Sequence, residues 1–494
     1  MNEANYQALC KCCDGILRDK SLPDAVAAIS FLHIVREHPV FLDQYEQLFR
    51  GSSLTGSKRT LAGFVAALLR CALQKPVGIN SEKVSPADVL FVSHLVDPSH
   101  TEADEDFYYS DLPRRLSGLR ASVALIGHAQ SAHRRPAGEF LRGEVPTHLL
   151  RCHAGFAPAL RDGFRLLSAA SALRRRARGE PPGLRRSVMV SAASRCASAG
   201  SLRNMGIAAQ VKNLLSRTGA TCLVTTWEGH AWERVTMRAA RTAGSVRCAG
   251  YQHAAVFKMQ HAMRRSLGGA MDPDILLASG RIPLAQLGDS PALKGIPVVC
   301  LGSRRGRVKK VEPTAVTSSA LARHSCLVLP EGIASECRIL FRFSLAAARR
   351  LPDWDFIWRL HPVVAREKLC SLDSEFRSLP SNIRLSEATF EEDISASQVV
   401  LYRGTTAVVQ AAMAGLLPIY INQPNEMSID PLFSIKDKRL TASTTDDFTA
   451  IISADCPRSV VKSRLGDSSL QYALDGFFAP LDPQVLLDFL KQRR

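Results

Sequence analysis

No stretch of this chain approaches the roughly 20 consecutive apolar residues that cross a bilayer as a helix. The opening segment, MNEANYQALCKCCDGILRDK, lacks the apolar centre of a secretory signal. The expectation is a cytoplasmic chain. The 13 cysteines lack a pattern: Cys10, Cys12 and Cys13 cluster, but no second group stands at zinc-ligand spacing, so reduced, small side chains are expected rather than a zinc knuckle. Aromatic residues make up 6% of the chain and none alternates with the basic runs. With no helix-turn-helix or RRM pattern either, nucleic acid is not expected as a partner. No Asp-X-Asp stands at a convincing strand end, so no catalytic metal ion is expected. No repeat of solenoid length is present.

What is there is a chain of 494 residues with 46% hydrophobic content, too long for one typical core and suited to two domains with additions. Charged residues are 22% and mean hydropathy is near zero, which marks a globular chain. The formal net charge is +17. Such a surface suits anionic lipid or phosphorylated small molecules. Its densest run is Arg174, Arg175, Arg176 and Arg178, followed by Arg185 and Arg186 across Pro181, Pro182 and Gly183. This reads as a basic helix end and a solvated loop, with peripheral association at an anionic membrane as a candidate role.

Residues 1–85 read as a helical N-terminal segment, with apolar residues at three- and four-residue intervals in FLHIVREHPVFLDQYEQLFR and TLAGFVAALLRCALQ. Short runs rich in β-formers follow at 88–95, 122–129, 187–193, 221–230, 245–255, 273–280 and 296–303, with a basic, helical stretch from about 135 to 186. Strands alternating with helices predict a parallel sheet over 86–303. The charged segment RRGRVKKVEP, 304–313, reads as a linker. A second α/β domain spans 314–494, with strands expected at 325–333, 355–362, 381–387, 396–405 and 416–422 and closing helices at the end. The expected fold class is therefore α/β, two Rossmann-like parallel-sheet domains with a cleft between the carboxyl ends of their strands, where ligands of such sheets bind.

Three polar sites of the second domain fall at strand ends: Glu331-Gly332, Arg359-Leu360-His361-Pro362, and Arg403-Gly404-Thr405-Thr406. A strand followed by Gly-Thr-Thr and an alanine-rich helix suits phosphate: the helix start offers free N–H groups and partial positive charge, the glycine allows close approach, and the hydroxyls add donors. A plain N-cap by Thr405 or Thr406 explains the same residues. Arg403 suits a bidentate contact to phosphate or carboxylate, or a structural ion pair. Asp430 suits a ribose hydroxyl, or a turn before Pro431. In the first domain Glu228 follows a strand at Trp227 and precedes Gly229, and His253 closes another strand.

The Arg-Leu-His-Pro strand end followed by a hydroxyl pair opening a helix resembles the HP-motif transferases: bacterial sialyltransferases, Kdo transferases and CDP-glycerol glycerophosphotransferases. LYRGTTAVVQAAMAGLLPIYINQPNEMSIDPLF, TTWEGHAWERVTMRAAR and VRCAGYQHA are similar to parts of bacterial surface-carbohydrate glycosyltransferases of the GT-B type. The likeness covers roughly 88–490. It implies transfer of a sugar from a nucleotide donor, CMP-activated by preference, to a glycan or lipid-linked acceptor, without a cofactor. It implies His361, Thr405 and Thr406 at the nucleotide phosphate and an acidic general base in the first domain. Glu228 matches best, although the family pattern carries two acids there; Glu233 and Asp106 compete, and His253 is placed on the acceptor side. Transfer of a polyol phosphate from a CDP-alcohol, or a non-catalytic binding scaffold, fits the same residues.

Overall fold

The computed structural model describes residues 1–51, 58–73, 84–96, 100, 103–127, 139–151, 155–293, 295–306, 324–361, 364, 366–455 and 468–492. Most of the expected linker at 304–313 and Pro362 lie outside them. The chain divides into two compact units: Met1–His253 with Gln260–Arg304 and Pro480–Arg494, and Ala254–Met259 with Arg305–Ala479.

The first unit carries strands β1 (Val89–Leu95), β2 (Ala121–Gly127), β3 (Glu139–Arg142), β4 (Val145–Leu150), β5 (Cys222–Thr226), β6 (Arg247–Gln252), β7 (Ile275–Ala278) and β8 (Val298–Cys300). They form one sheet in the order β3-β4-β2-β1-β5-β6-β7-β8, parallel except for the β3–β4 hairpin. From β1 the chain first winds outward through β2 and β4. It then returns to start again at β5, on the other side of β1. That reversal leaves a crevice at the carboxyl ends of β1 and β5, the place where open α/β sheets take ligands. Apolar side chains alternate onto a core face that includes Val89, Phe91, Val224 and Tyr251.

Three differences from the sequence reading matter. Residues 187–193, expected as a strand, lie inside the helix Leu184–Cys196. Its buried side chains Val188, Met189, Ala192, Ala193 and Cys196 recur at helical spacing, so the apolar run was a buried helix face. Conversely, the hairpin β3–β4 occupies 139–150, within the stretch read as helical. The N-terminal segment is helical, with Glu3–Leu17, Pro39–Phe49 and Lys58–Leu73, and groups with the first unit. So does the last helix, Pro483–Lys491, whose Leu486 and Phe489 complete the first unit's core, whereas the sequence reading put it in the second.

The second unit carries β9 (His324–Leu329), β10 (Trp354–Trp358), β11 (Ile383–Leu385), β12 (Val399–Tyr402), β13 (Leu417–Ile421) and β14 (Leu440–Ala442). The order is β11-β10-β9-β12-β13-β14, with all pairings parallel. The winding again reverses, here between β9 and β12. Phe341 stacks on Trp358 at 4.4 Å between ring centres, fixing the helix Ala334–Arg350 against the sheet. Gly415, at φ +108°, stands just past the C-cap Ala414 and ends the helix Ala407–Met413.

Candidate active site

In the first unit, β5 runs through Trp227 into a tight turn, Glu228-Gly229-His230, and then the helix Ala231–Arg241. Three features hold the turn. Trp227 is fully buried and donates from Nε1 to Met263 O at 3.3 Å, with the Arg234 guanidinium 4.4 Å from its ring centre. Gly229 sits at φ +82°, and a Cβ there would come within 2.2 Å of Ala262 O, so both backbone and space require glycine. The Glu233 carboxylate accepts the N–H groups of Glu228 (3.1 Å), Gly229 (2.7 Å) and His230 (2.8 Å). Burial pushes the Glu233 carboxyl up to about 7, with the neighbouring Glu228 charge adding to the rise and these N–H groups and His230 opposing it. Glu233 thus serves the turn as a cap, and its oxygens point back into the protein instead of to an acceptor.

Glu228 is the hub of a charged cluster. Its carboxylate accepts from Arg36 at 3.3 Å and from His230 at 3.1 Å, and His253 Nε2 stands 3.8 Å away. Burial raises its pKa, but Arg36, His230 and His253 together outweigh burial and hold the carboxyl well below its usual range. His230 responds in the opposite sense: burial lowers it, the Glu228 and Glu233 carboxylates overcome that, and the imidazole titrates above its ordinary value. His230 is the most exposed of the cluster, at 39% against 15% for Glu228. A wall of rings adjoins: Tyr108 lies edge-on to His253 at 4.5 Å and to His94 at 5.8 Å, and His94 meets Thr226 Oγ1 at 3.3 Å.

Arg36 arrives from the N-terminal segment, and its delivery is specified. Asn204 Nδ2 donates to Ala28 O at 2.9 Å, and Arg265 to His33 O at 3.3 Å. His33 Nε2 meets Ala27 O at 2.8 Å, and burial drives its pKa down to about 3, so it stays neutral and donates. Ile34, buried at φ +42°, carries backbone strain of the kind found beside functional residues. Asp106 is different. It is buried and fully engaged, one oxygen accepting from Ser93 Oγ (2.8 Å), Tyr108 N (2.8 Å) and Tyr109 N (3.0 Å), the other from Arg142 (2.8 Å). It anchors the loop that presents Tyr108 and has no oxygen left for an acceptor.

In the second unit, Glu331-Gly332 follows β9 and leads into the helix Ala334–Arg350, while Gly404-Thr405-Thr406 follows β12. They flank the reversal between β9 and β12. Thr406 makes no side-chain cap and Thr405 Oγ1 takes only a long 3.4 Å bond from Ala407 N, so capping accounts weakly for the pair. The neighbouring charges are committed elsewhere. Arg403 is buried; its Nε donates to Glu336 (2.6 Å) and its other nitrogens to Ile421 O (3.0 Å) and Glu426 (2.9 Å). A phosphate fork is therefore not what Arg403 offers. Asp430 is fully buried, accepting from Tyr402 OH (2.9 Å), Leu432 N (2.8 Å) and Arg439, and burial raises its pKa. It is closed to a ribose hydroxyl. Arg359 donates to Asp393 (2.7 Å) and Ala388 O (2.8 Å), bracing the loop before the helix Phe390–Ser395. His361 is half-buried at the end of β10, its carbonyl accepting from Val364 N at 2.8 Å.

Sequence reasoning thus located Glu228 and His253 and missed Arg36, His230, His94 and Tyr108. His230 stands two residues from Glu228 and was open to notice; Arg36 carried no local signal.

No family model matches the chain, and no curated protein matches it. Among solved structures it is similar to the glycosyltransferase of kitacinnamycin, at 12% identity over 83% of this chain and 100% of that one, with TM-score 0.47. It is also similar to a UDP-GlcNAc 2-epimerase from Neisseria meningitidis (12% identity, 81% and 99% covered, TM-score 0.46). A third is the glycosyltransferase SnogD from Streptomyces nogalater (13%, 82% and 100%, TM-score 0.43). At that distance the likeness transfers no residue roles.

Proposed function

We propose that the protein transfers a sugar from a nucleotide donor to a hydroxyl acceptor, with the second unit binding the nucleotide and the first activating the acceptor. The observation that carries this reading is the Glu228 cluster at the β1/β5 reversal: an ionised carboxylate bound to a half-exposed imidazole. Neutral His230 takes the acceptor proton, and Glu228 stabilises the imidazolium that results, as a carboxylate does for a catalytic histidine elsewhere. Glu228, read from sequence as the base, then acts through His230. On the nucleotide side, Gly404, Thr405, Thr406, Glu331 and Gly332 line the β9/β12 reversal, and His361 stands at the next strand end. N–H groups, hydroxyls and an imidazole stabilise a departing phosphate electrostatically. The resemblance of 359–362 and 403–406 to HP-motif enzymes favours a CMP-activated donor and a surface-glycan or lipid-linked acceptor.

The test is a thermal-shift screen of the full chain with CMP, CDP, UDP and GDP. A ligand held only by the folded state raises the melting temperature by mass action, equivalent to about 2.7 kcal/mol at a hundredfold excess over Kd. CMP is expected to give the largest shift. No shift with any of the four removes the reading. One observation favours a second reading, a non-catalytic scaffold: Arg359, Arg403 and Asp430 are all absorbed in internal pairs. Nucleotide binding without turnover of any activated sugar would select it.

A further inference from the structure

Among the described residues, twelve large apolar side chains are exposed, and eight of them belong to two helices. Leu61, Val65, Leu69 and Leu73 lie on Lys58–Leu73, the last 83% exposed; Phe156, Leu160, Phe164 and Leu167 lie on Phe156–Arg178, with Phe164 at 64%. The helices touch at Gly163, where a Cβ would stand 3.3 Å from the Phe64 ring. At about 100° per residue, Phe156, Leu160, Phe164 and Leu167 fall in an arc of roughly 80° directly beside Gly163. The apolar stripe of one helix therefore borders the other helix. Beside it is a groove of about 530 Å³ lined by Ala157, Leu160, Arg161, Phe164, Arg165 and Ser168.

The exposed charges of Phe156–Arg178 have one sign. Arg161, Arg165, Arg174, Arg175 and Arg178 are exposed, and the helix's one acid, Asp162, is buried and paired with Arg165 at 3.1 Å. Arg161, Arg174, Arg175 and Arg178 make no ion pair among the described residues. A row of leucine and phenylalanine rimmed by arginine is what a phospholipid leaflet with anionic headgroups complements: hydrocarbon below, phosphate at the level of the guanidinium groups. A second copy docked by two-fold symmetry sets this patch against itself and arginine against arginine. A nucleic acid answers the arginines and leaves the apolar row in water.

We propose that these two helices seat the protein on an anionic membrane leaflet. The inference stands without the glycosyl-transfer reading, because its readout is binding and needs no turnover. The test is co-sedimentation of the full chain with phosphatidylcholine vesicles, with and without phosphatidylglycerol. Binding is expected only to the anionic vesicles and falls as salt rises. Arg174→Ala with Arg175→Ala is expected to weaken it about 25-fold, about fivefold per arginine near a charged surface. Phe164→Glu with Leu69→Glu is expected to abolish it while the melting temperature holds, both sites being exposed. Phe164→Trp is expected to emit at shorter wavelength with anionic vesicles alone. A wild-type chain that ignores both vesicles overturns the proposal, and so does undiminished binding by Phe164→Glu with Leu69→Glu. A lipid-free dimer that Phe164→Glu dissociates also overturns it and makes a second copy the occupant.

Discussion

The two units share one winding, outward from a central strand and then back past it, yet their reversals are furnished differently. At β1/β5 the ionisable groups are bound to one another at the edge: Glu228, His230 and Arg36, with His253 near, the exposed members being His230 and Arg36 at 39% and 38%. At β9/β12 the strong charges turn inward, Arg403 to Glu336 and Asp430 to Arg439, and Gly404 and Thr405 are buried with them, leaving Gly332 and Thr406 the more accessible. A charged residue at a strand end is thus not by itself a ligand contact; what decides is whether its hydrogen bonds are already made inside the fold. On the proposed reading, the first reversal moves a proton and the second holds a group that brings its own charge.

The comparison breaks most visibly if the charged residues are exchanged in role. Glu228→Gln is expected to lower sugar-transfer turnover by up to about 10²–10⁴-fold, the usual contribution of general base catalysis, because His230 loses the carboxylate that stabilises its imidazolium. Its stability is expected to change by no more than about 1 kcal/mol, since its ion-pair partners are partly exposed. Arg403→Ala is expected to do the reverse, costing about 3–5 kcal/mol in urea unfolding because Glu336 is left buried without its counter-charge. Steady-state kinetics and denaturation on both variants read this directly. Equal stability losses would erase the distinction between the two reversals.

Gly229→Ala comes next. The strained φ and the clash with Ala262 O put its cost at about 2–4 kcal/mol. Because the turn carries Glu228 and His230, the folded fraction at low temperature should also lose turnover, measured alongside the melting temperature. Smaller again is Thr405→Ala with Thr406→Ala. Nucleotide affinity is expected to fall about tenfold by calorimetry, roughly the worth of one or two hydrogen bonds to a charged group. With no side-chain cap at Thr406, stability should move by under about 1 kcal/mol. A stability loss with unchanged affinity would make the hydroxyls mere caps and the second reversal empty.

Much of the fold was legible because parallel strands buried on both faces are short continuous apolar runs, as in DVLFVSHL and SCLVLPEGI. The same rule misled at 187–193, where a fully packed helix gives an equally continuous run, and the spacing of Val188, Met189, Ala192, Ala193 and Cys196 was the discriminating signal. Glu228 was legible because strand, turn and helix sit together in one short segment. Its partner Arg36 was not, lying 192 residues away in a segment that resembles nothing with known chemistry. Arg403 and Asp430 were placed correctly at a strand end and a turn, but the partners that neutralise them, Glu336 and Arg439, come from other elements. Sequence shows where a charge sits along the chain, and tertiary structure shows whether it is already spent.

The smallest effect, and the finest probe of the comparison, is the titration of His230. Its imidazole is raised above its ordinary value because the Glu228 and Glu233 carboxylates favour its charged form, and the Glu228 carboxyl is depressed by Arg36, His230 and His253 together. The two shifts have different pH consequences. The histidine's part of the stabilisation is complete below its unfolded pKa of about 6.5 and is lost as pH rises through the folded value. The glutamate's part is present above its unfolded pKa of about 4.3 and is lost as pH falls through its depressed folded value. The pair therefore stabilises most between those two unfolded values. For turnover the sign is set by the neutral imidazole: the rate should rise with pH through the raised His230 value and not level off at the ordinary imidazole pKa. Glu228→Gln removes one of the two carboxylates that raise His230, leaving Glu233 alone against burial and Arg36, so the imidazole moves down. NMR titration of the His230 ring proton should show that downward move, and Arg36→Ala in the Glu228 background should shift it up, because a repelling cation is gone. If His230 titrates unchanged in Glu228→Gln, the imidazole is not governed by the carboxylate, and the β1/β5 reversal holds a structural ion pair like the ones at β9/β12.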